Sequence, residues 1–90
     1  MKDAQAVQVF KALADPTRLK LVRQLAACPT SQKTCGELSD KADLSQPAMS
    51  HHFIKLANAG IVTEDKVGTQ KIYTLNAQLL SRLGIDVKKL

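Results

Sequence analysis

Residues 45–60 carry hydrogen-bonding side chains at a spacing that would place them along one side of a helix. At about 100° per residue, most of these side chains point away from Phe53, and the others flank it near the N-terminal end. Those opposite Phe53 are Pro47, His51, Lys55 and Asn58, and those on the flanks are Gln46 and Ser50. Short polar side chains and a positive charge suit base edges in the major groove of DNA. The pattern predicts a recognition helix, although an ordinary surface helix with a solvated polar face would also explain this stretch taken alone.

The same stretch has residues that would begin, anchor and end the helix. Ser45 is a favourable N-cap, and Gly60 suits the left-handed residue that ends a helix. Pro47 is tolerated because it falls in the first turn. The apolar stripe that would anchor the helix is Met49, Phe53, Leu56 and Ala57. The DNA-binding residues predicted on this helix are Ser45, Gln46, Pro47, Ser50, His51 and Lys55.

A second, shorter helix is predicted just before the recognition helix. Thr34 and Glu37 have the spacing of a capping box, in which the side chain of each residue accepts a hydrogen bond from the backbone N–H of the other. This predicts a helix over residues 35–41, only a few residues ahead of Ser45. Two short helices joined by a tight turn form a helix-turn-helix, which we place at residues 34–60.

Two further helices are predicted at the start of the chain, over residues 3–14 and 16–27. Asp15 and Pro16 separate them, with the aspartate as N-cap and the proline at the first helical position. In the second of these helices, the residues predicted to face inward are Leu19, Val22, Leu25 and Ala26. Those predicted to face outward, which are largely basic, are Arg18, Lys20, Arg23 and Gln24. Residues 28–33 are predicted to form turn and loop.

After Gly60 the sequence changes to an extended pattern. Residues 61–67 and 70–75 are rich in β-branched residues and flank Gly68 and Thr69, which predicts a hairpin. The polar and basic residues at its tip and flanks are Lys66, Gln70 and Lys71. Following a recognition helix, such a hairpin is typical of a wing that contacts sugar and phosphate, and we place this wing at residues 61–75. The alternative is a hairpin that covers the core and exposes its lysines to solvent.

The first and last helices are more apolar than a domain of this size needs. Asn76 would cap a last helix over residues 76–90, whose apolar residues are Leu79, Leu80, Leu83, Ile85, Val87 and Leu90. With Val7, Phe10 and Leu13 of the first helix, they predict a homodimer interface formed by residues 3–14 and 76–90. The residues assigned to dimerisation are Val7, Phe10, Leu79, Leu80 and Leu83. Packing onto the core of the same protomer is the alternative for each residue singly.

Composition favours a single cytoplasmic domain with a polyanionic partner. Ninety residues, 44% of them hydrophobic, are enough for one domain over residues 1–90 and argue against a disordered chain. No stretch approaches the roughly 20 apolar residues of a membrane span, and the N-terminus lacks an apolar signal core. A net charge of +5 and a pI near 9.5 favour a partner such as double-stranded DNA. We therefore predict an α+β winged helix-turn-helix with a three-helix core, a recognition helix, a two-stranded wing and a C-terminal helix.

Several motifs resemble, in order, those of the ArsR/SmtB family of winged helix-turn-helix repressors. They are FKALADPTRL at residues 10–19, GEL at 36–38, LSQPAMSHH at 44–52 and AGIV at 59–62. The resemblance covers roughly residues 9–75. It implies a homodimer joined by its first and last helices, which binds an imperfect inverted repeat near its own promoter and is released by a ligand. It also implies groove contacts by Gln46, Pro47, Ser50 and His51.

The metal-binding motifs of that family are incomplete in this sequence. Its metal sensors carry Cys-x-Cys-Asp-Leu or Cys-x-Gly-Asp-Leu where residues 34–38 read TCGEL, and residues 76–90 contain neither His nor Cys. His51 and His52 are adjacent and diverge by about 100° on a helix, whereas metal-binding pairs are four residues apart. We predict no metal site and no cofactor. The sequence also has no nucleophile-base pattern or phosphate-binding glycine loop, so we predict no enzymatic activity.

Two cysteines, Cys28 and Cys35, are candidates for sensing the signal that would control DNA binding, and the sequence does not decide between a sensing role and none. Cys28 would end the second helix and Cys35 would begin the third, where the helix dipole favours a thiolate. A disulfide between them could switch DNA binding, but cysteines in small cytosolic domains are usually inert packing residues. The hypotheses that remain beside a DNA-binding repressor are a metal- or thiol-responsive sensor and a winged helix that binds another protein. The polar recognition face argues against the last, because protein interfaces have apolar and aromatic centres.

Overall fold

The computed structural model describes residues 2–28, 32–34 and 44–89, with only the backbone described for residues 32–34 and Lys88. In chain order its elements are α1 (Asp3–Leu13), α2 (Pro16–Ala27), β1 (Gln32–Thr34), α3 (Gln46–Asn58), β2 (Val62–Val67), β3 (Gln70–Leu75) and α4 (Ala77–Arg82), followed by a 3-10 turn (Val87–Lys89). The helix predicted over residues 35–41 and its capping-box partner Glu37 lie outside the described residues. The predicted recognition helix and wing correspond to α3 and to the β2–β3 hairpin.

The boundary between α1 and α2 is fixed by Asp15. Its Oδ2 accepts a hydrogen bond from the backbone N–H of Arg18 at 2.9 Å, and Pro16 occupies the first turn of α2, as predicted. That hydrogen bond is the main reason why the pKa of Asp15 lies below its ordinary value, and the nearby charge of Arg18 lowers the pKa further. The carboxylate therefore stabilises the helix start in its charged form.

The buried face of α2 differs from the prediction. Its buried residues are Leu21, Val22, Leu25 and Ala26. Leu19 is only half-buried, and Leu21, which was not assigned to the core, is fully buried. The reason is that α2 packs against α1, α3, β3 and the C-terminal turn, and these neighbours shift its buried arc away from Leu19 and toward Leu21.

The described sheet has three antiparallel strands in the order β1-β3-β2. β2 and β3 form the predicted hairpin, and Gly68 at its turn has a φ of 64°. β1 pairs with the other edge of β3, with Lys33 opposite Tyr73. The prediction of loop over residues 28–33 is therefore wrong at Gln32 and Lys33. Three polar residues show no strand pattern of their own, and they are extended because β3 offers them an open edge.

One apolar core joins the helices to the base of the hairpin. Phe53 of α3 stacks on Tyr73 of β3, with ring centroids 3.8 Å apart and planes 7° apart. Both side chains are 1% exposed. The other fully buried large residues are Val9, Leu21, Val22, Leu25, Met49, Leu56 and Ile61. The back of α3 is thus packed directly against the strand that carries the wing.

The last helix is shorter than predicted. It ends at Arg82, and Gly84 follows with a φ of 71°. The backbone N–H of Ile85 donates to Leu80 O at 2.9 Å and that of Gly84 to Ser81 O at 3.0 Å, which is a Schellman motif. The prediction of one helix over residues 76–90 is wrong because Gly84 ends it after less than two turns. The described residues include no helix long and apolar enough to cross a membrane.

Candidate nucleic-acid interface

The recognition helix α3 is capped and anchored as its sequence predicts. Ser45 Oγ accepts a hydrogen bond from the backbone N–H of Ala48 at 3.3 Å. Met49, Phe53 and Leu56 are buried and hold the back of the helix on the core. Ala57 was assigned to the same stripe but is exposed. The buried arc is centred between Met49, Leu56 and Phe53, and Ala57 lies about 100° beyond Leu56, outside that arc.

The outward face of α3 is polar and accessible. Its exposed residues include Gln46, Pro47, His51, Lys55 and Asn58, and Ser50 is half-buried. Sequence reasoning left out one member of this surface, Ile54, whose side chain is 59% exposed three residues after His51. An exposed apolar side chain beside polar ones can contact the methyl group of thymine. The exposure of Ile54 could have been predicted, because a helix that buries Phe53 places the next residue about 100° away, on its flank.

The two adjacent histidines have different environments. His51 is exposed, whereas His52 is half-buried, and their rings meet edge to face with centroids 6.1 Å apart. Nδ1 of His52 is buried and has no hydrogen-bond partner among the described residues. His52 also lies close enough to Asp15 to contribute to the lowering of that carboxyl's pKa. His51 is thus the more accessible of the two histidines. In the described ranges, no three His, Cys, Asp or Glu side chains are grouped as a metal site requires.

The wing carries one paired and one unpaired lysine in the described part of the chain. Lys66 and Lys71 face each other across β2 and β3. Lys71 Nζ is 3.7 Å from Glu64 Oε1, an exposed ion pair that solvent weakens to about 0–1 kcal/mol. Gln70 lies on the opposite face of the hairpin, paired with Val67, which is 61% exposed at the tip. Positive charge on the wing is therefore concentrated at Lys66.

Asn76 connects the recognition helix to the end of the wing. Its side-chain Nδ2 donates to Gly60 O at 3.1 Å, and its backbone N–H donates to Ile61 O at 2.7 Å. Its Oδ1 also accepts the backbone N–H of Leu79 at 3.3 Å, which confirms the predicted cap of α4. The capping role was readable from the sequence. The link to Gly60 was not, because it joins residues that are far apart in the chain.

The residues assigned to dimerisation occupy two different environments. Val7 and Phe10 of α1 are 49% and 52% exposed. Leu79 and Leu80 are 6% and 3% exposed and pack into the core of their own protomer, so they leave almost no surface for a partner. Leu83 is half-buried against that core. An apolar recess on this side is lined by Phe10, Leu13, Ala14, Leu19 and Ile85.

The cysteine hypothesis is only partly covered by the described residues. Cys28 is half-buried and forms the C-cap of α2, with its backbone N–H donating to Leu25 O at 3.2 Å. Cys35 lies outside the described residues, as does the helix it was predicted to begin.

Comparison with known protein families identifies the family to which this chain belongs. Residues 15–64, which include α2 and α3, match the family model described as "Bacterial regulatory protein, arsR family". The chain belongs to the arsR family. The family consists of DNA-binding transcriptional regulators, and the predictions of a winged helix-turn-helix fold, of DNA-binding regulation and of no enzymatic activity are confirmed.

Individual arsR-family proteins resemble the chain over most of its length. The transcriptional repressor SdpR of Bacillus subtilis (strain 168) is 33% identical over 72 residues, which are 80% of this chain and 77% of SdpR. The structure of HlyU from Vibrio cholerae N16961 matches with a TM-score of 0.74 and 34% identity, over 92% of this chain and 97% of HlyU.

A third comparison concerns the fold and assembly. The winged helix-turn-helix DNA-binding domain of Mb0332 from Mycobacterium bovis, described as homodimeric, matches with a TM-score of 0.78 over 92% of this chain and 80% of that domain. At 22% identity this match shows a shared fold. Regulators of the arsR family bind DNA and form homodimers.

Proposed function

We propose that this protein is a repressor that binds an inverted-repeat operator in double-stranded DNA as a homodimer. The observation that carries the proposal is the division of α3 into a buried back and an exposed polar front. Met49, Phe53 and Leu56 fix the helix on the core, so the side chains opposite them are held outward at defined positions. A rigid helix that presents hydrogen-bonding groups fits the major groove.

In this proposal the contacts divide between base edges and the sugar-phosphate backbone. Ser45, Gln46, Pro47, Ser50, His51 and Lys55 line the groove side of α3. Lys66, Gln70 and Lys71 on the wing contact sugar and phosphate beside the groove. Because Lys71 is partly neutralised by Glu64, we expect Lys66 to contribute more than Lys71 to the salt dependence of binding.

The dimer in this proposal uses the apolar surface of α1. Val7 and Phe10 are half exposed, and the neighbouring recess extends this surface to Ile85 after the end of α4. Leu83 contributes from the same C-terminal segment, whereas Leu79 and Leu80 belong to the protomer's core. A two-fold dimer would place the two α3 helices about 34 Å apart, one helical turn of DNA. A regulator of this kind acts where chromosomal DNA is, so a cytoplasmic location is part of the proposal.

Binding to the DNA that flanks the protein's own gene tests the proposal. Footprinting should show a protected inverted repeat, and Gln46→Ala or His51→Ala should weaken specific binding by about 1–3 kcal/mol for each base that the side chain reads. Gln78→Ala is the matched control, because Gln78 is an exposed glutamine on α4 and is not among the proposed groove residues. Wild-type affinity for the operator in both α3 variants would show that the groove assignment is wrong.

A further inference from the structure

A recess beside the recognition helix is formed by three helices. Its volume is about 200 Å³, and it is lined by Gln8, Lys11 and Ala12 of α1, Arg18 of α2, and Lys55 and Asn58 of α3. At about 30 Å³ for each water molecule, this space holds roughly seven waters, or a phosphate group with part of its hydration shell. Of its lining residues, only Lys55 belongs to the groove and wing assignments above, and no sequence pattern predicted that these residues share a recess.

The lining of the recess is cationic. Lys11, Arg18 and Lys55 come from three different helices, and no acidic side chain lines the space. Within the described part of the chain, none of these three side chains forms an ion pair. The carboxylate of Asp15 lies near Arg18 but accepts a backbone N–H and is not part of the lining. Cations that line one space repel one another, and an oxyanion between them would relieve that repulsion.

One of the cations is already held in place. Nε of Arg18 donates a hydrogen bond to the backbone oxygen of Ala12 at 2.7 Å, which fixes the guanidinium group at the recess. A fixed guanidinium loses little conformational entropy when it binds, so it is suited to a phosphate. Gln8 and Asn58 also line the recess, and their side-chain amides can supply neutral hydrogen-bond donors. The donor set therefore fits a phosphate group.

The position of the recess indicates which phosphate it would meet. Lys55 and Asn58 belong to the outward face of α3 that also carries His51. A helix in the major groove is flanked by the two phosphate backbones, and side chains next to it contact those backbones. Building on the proposed function, we propose that the recess binds a backbone phosphate of the operator. The helices α1 and α2 then contact DNA through Lys11 and Arg18, in addition to the groove and wing contacts.

The salt dependence of operator binding by the full-length protein tests this site. The logarithm of the binding constant falls linearly with the logarithm of salt concentration, and losing one phosphate contact makes this negative slope shallower by about 0.9. Lys11→Gln in both protomers should therefore make it shallower by about 1.8. The corresponding decrease in affinity at 0.1 M salt is about eightfold per phosphate, and it should be the same for operator and unrelated DNA. Lys11→Arg should retain the wild-type slope because it retains the charge.

The control is Lys20→Gln, which removes one exposed positive charge from α2 about 200° around the helix from Arg18. It should change the slope by less than Lys11→Gln does. If the two variants have the same slope, the recess does not bind DNA and the inference is overturned. This result differs from a failure of the proposed function, in which Gln46→Ala and His51→Ala would also bind the operator like wild type.

A parallel titration distinguishes DNA from a small phosphate compound as the ligand. Inorganic phosphate is added to the protein without DNA, and the backbone amides of Lys11 and Arg18 are followed by NMR. Weak binding that operator DNA displaces would support the inference. Phosphate binding that Lys11→Gln abolishes, with no change in the salt slope for DNA, would assign the recess to a small phosphorylated ligand and overturn the inference.

Discussion

The stacked pair of Phe53 and Tyr73 should make a measurable contribution to stability beyond burial of the two side chains. The rings are 3.8 Å apart and nearly parallel, and both side chains are 1% exposed. Phe53→Ala removes the stack and leaves a cavity, which we expect to cost about 3–5 kcal/mol. Phe53→Leu retains an apolar side chain, so its cost should be about 1–3 kcal/mol, of which the aromatic pairing accounts for about 0.5–1.5 kcal/mol.

A double-mutant cycle isolates that pairing energy. The free energies of unfolding of Phe53→Leu, Tyr73→Leu and the double variant are measured by urea denaturation at one fixed protein concentration, since dimerisation makes stability concentration-dependent. We expect a coupling energy of about 0.5–1.5 kcal/mol. Val9→Ala, a fully buried change on α1, combined with Tyr73→Leu is the control and should show a smaller coupling. Equal coupling in both cycles would refute a specific contribution from the stack.

Three further predictions concern pH, assembly and the thiols. Because its folded-state pKa is lowered, Asp15 stabilises the protein above its unfolded pKa, and this contribution is lost as the pH falls through the lower folded value; thermal melting should show the gap between wild type and Asp15→Asn closing below about pH 4. Phe10→Ser should shift sedimentation toward monomer at micromolar concentration, while Val67→Ser, a change at a somewhat more exposed apolar residue on the wing, should not. If Cys28 and Cys35 form a regulatory disulfide, peroxide should lower operator affinity in wild type and leave the double serine variant unchanged; equal responses would exclude the thiols as the sensor.

Residues that act through local chemistry made much of the fold predictable. Asp15, Ser45 and Asn76 cap helices through hydrogen bonds to backbone groups three residues away, so their role depends only on nearby sequence. Gly68 permits the tight turn of the hairpin for a similarly local reason. The polar front of α3 followed from its apolar back, since both come from one helical period.

What could not be predicted depends on contacts between distant parts of the chain. β1 is a strand because the edge of β3 accepts it, and residues 32–34 alone have no strand pattern. The burial of Leu21 depends on how many elements surround α2. The cationic recess joins α1, α2 and α3, so no single helical pattern contains it. The end of α4 is a different case. Gly84 is a typical helix-ending residue, so the end could have been predicted locally, but the apolar residues after Gly84 led to the prediction of a longer helix.

The position of β2 in the sheet has a consequence for solubility. β1 covers one edge of β3, so β2 is the outer strand on the wing side of the described sheet. An uncovered strand edge can pair with the same edge of another molecule and start aggregation. Here the middle of β2 reads Glu64, Asp65 and Lys66, all of them exposed. Pairing of two such edges would crowd and partly desolvate these charges, so the charged middle of β2 disfavours polymerisation of concentrated protein through its wings.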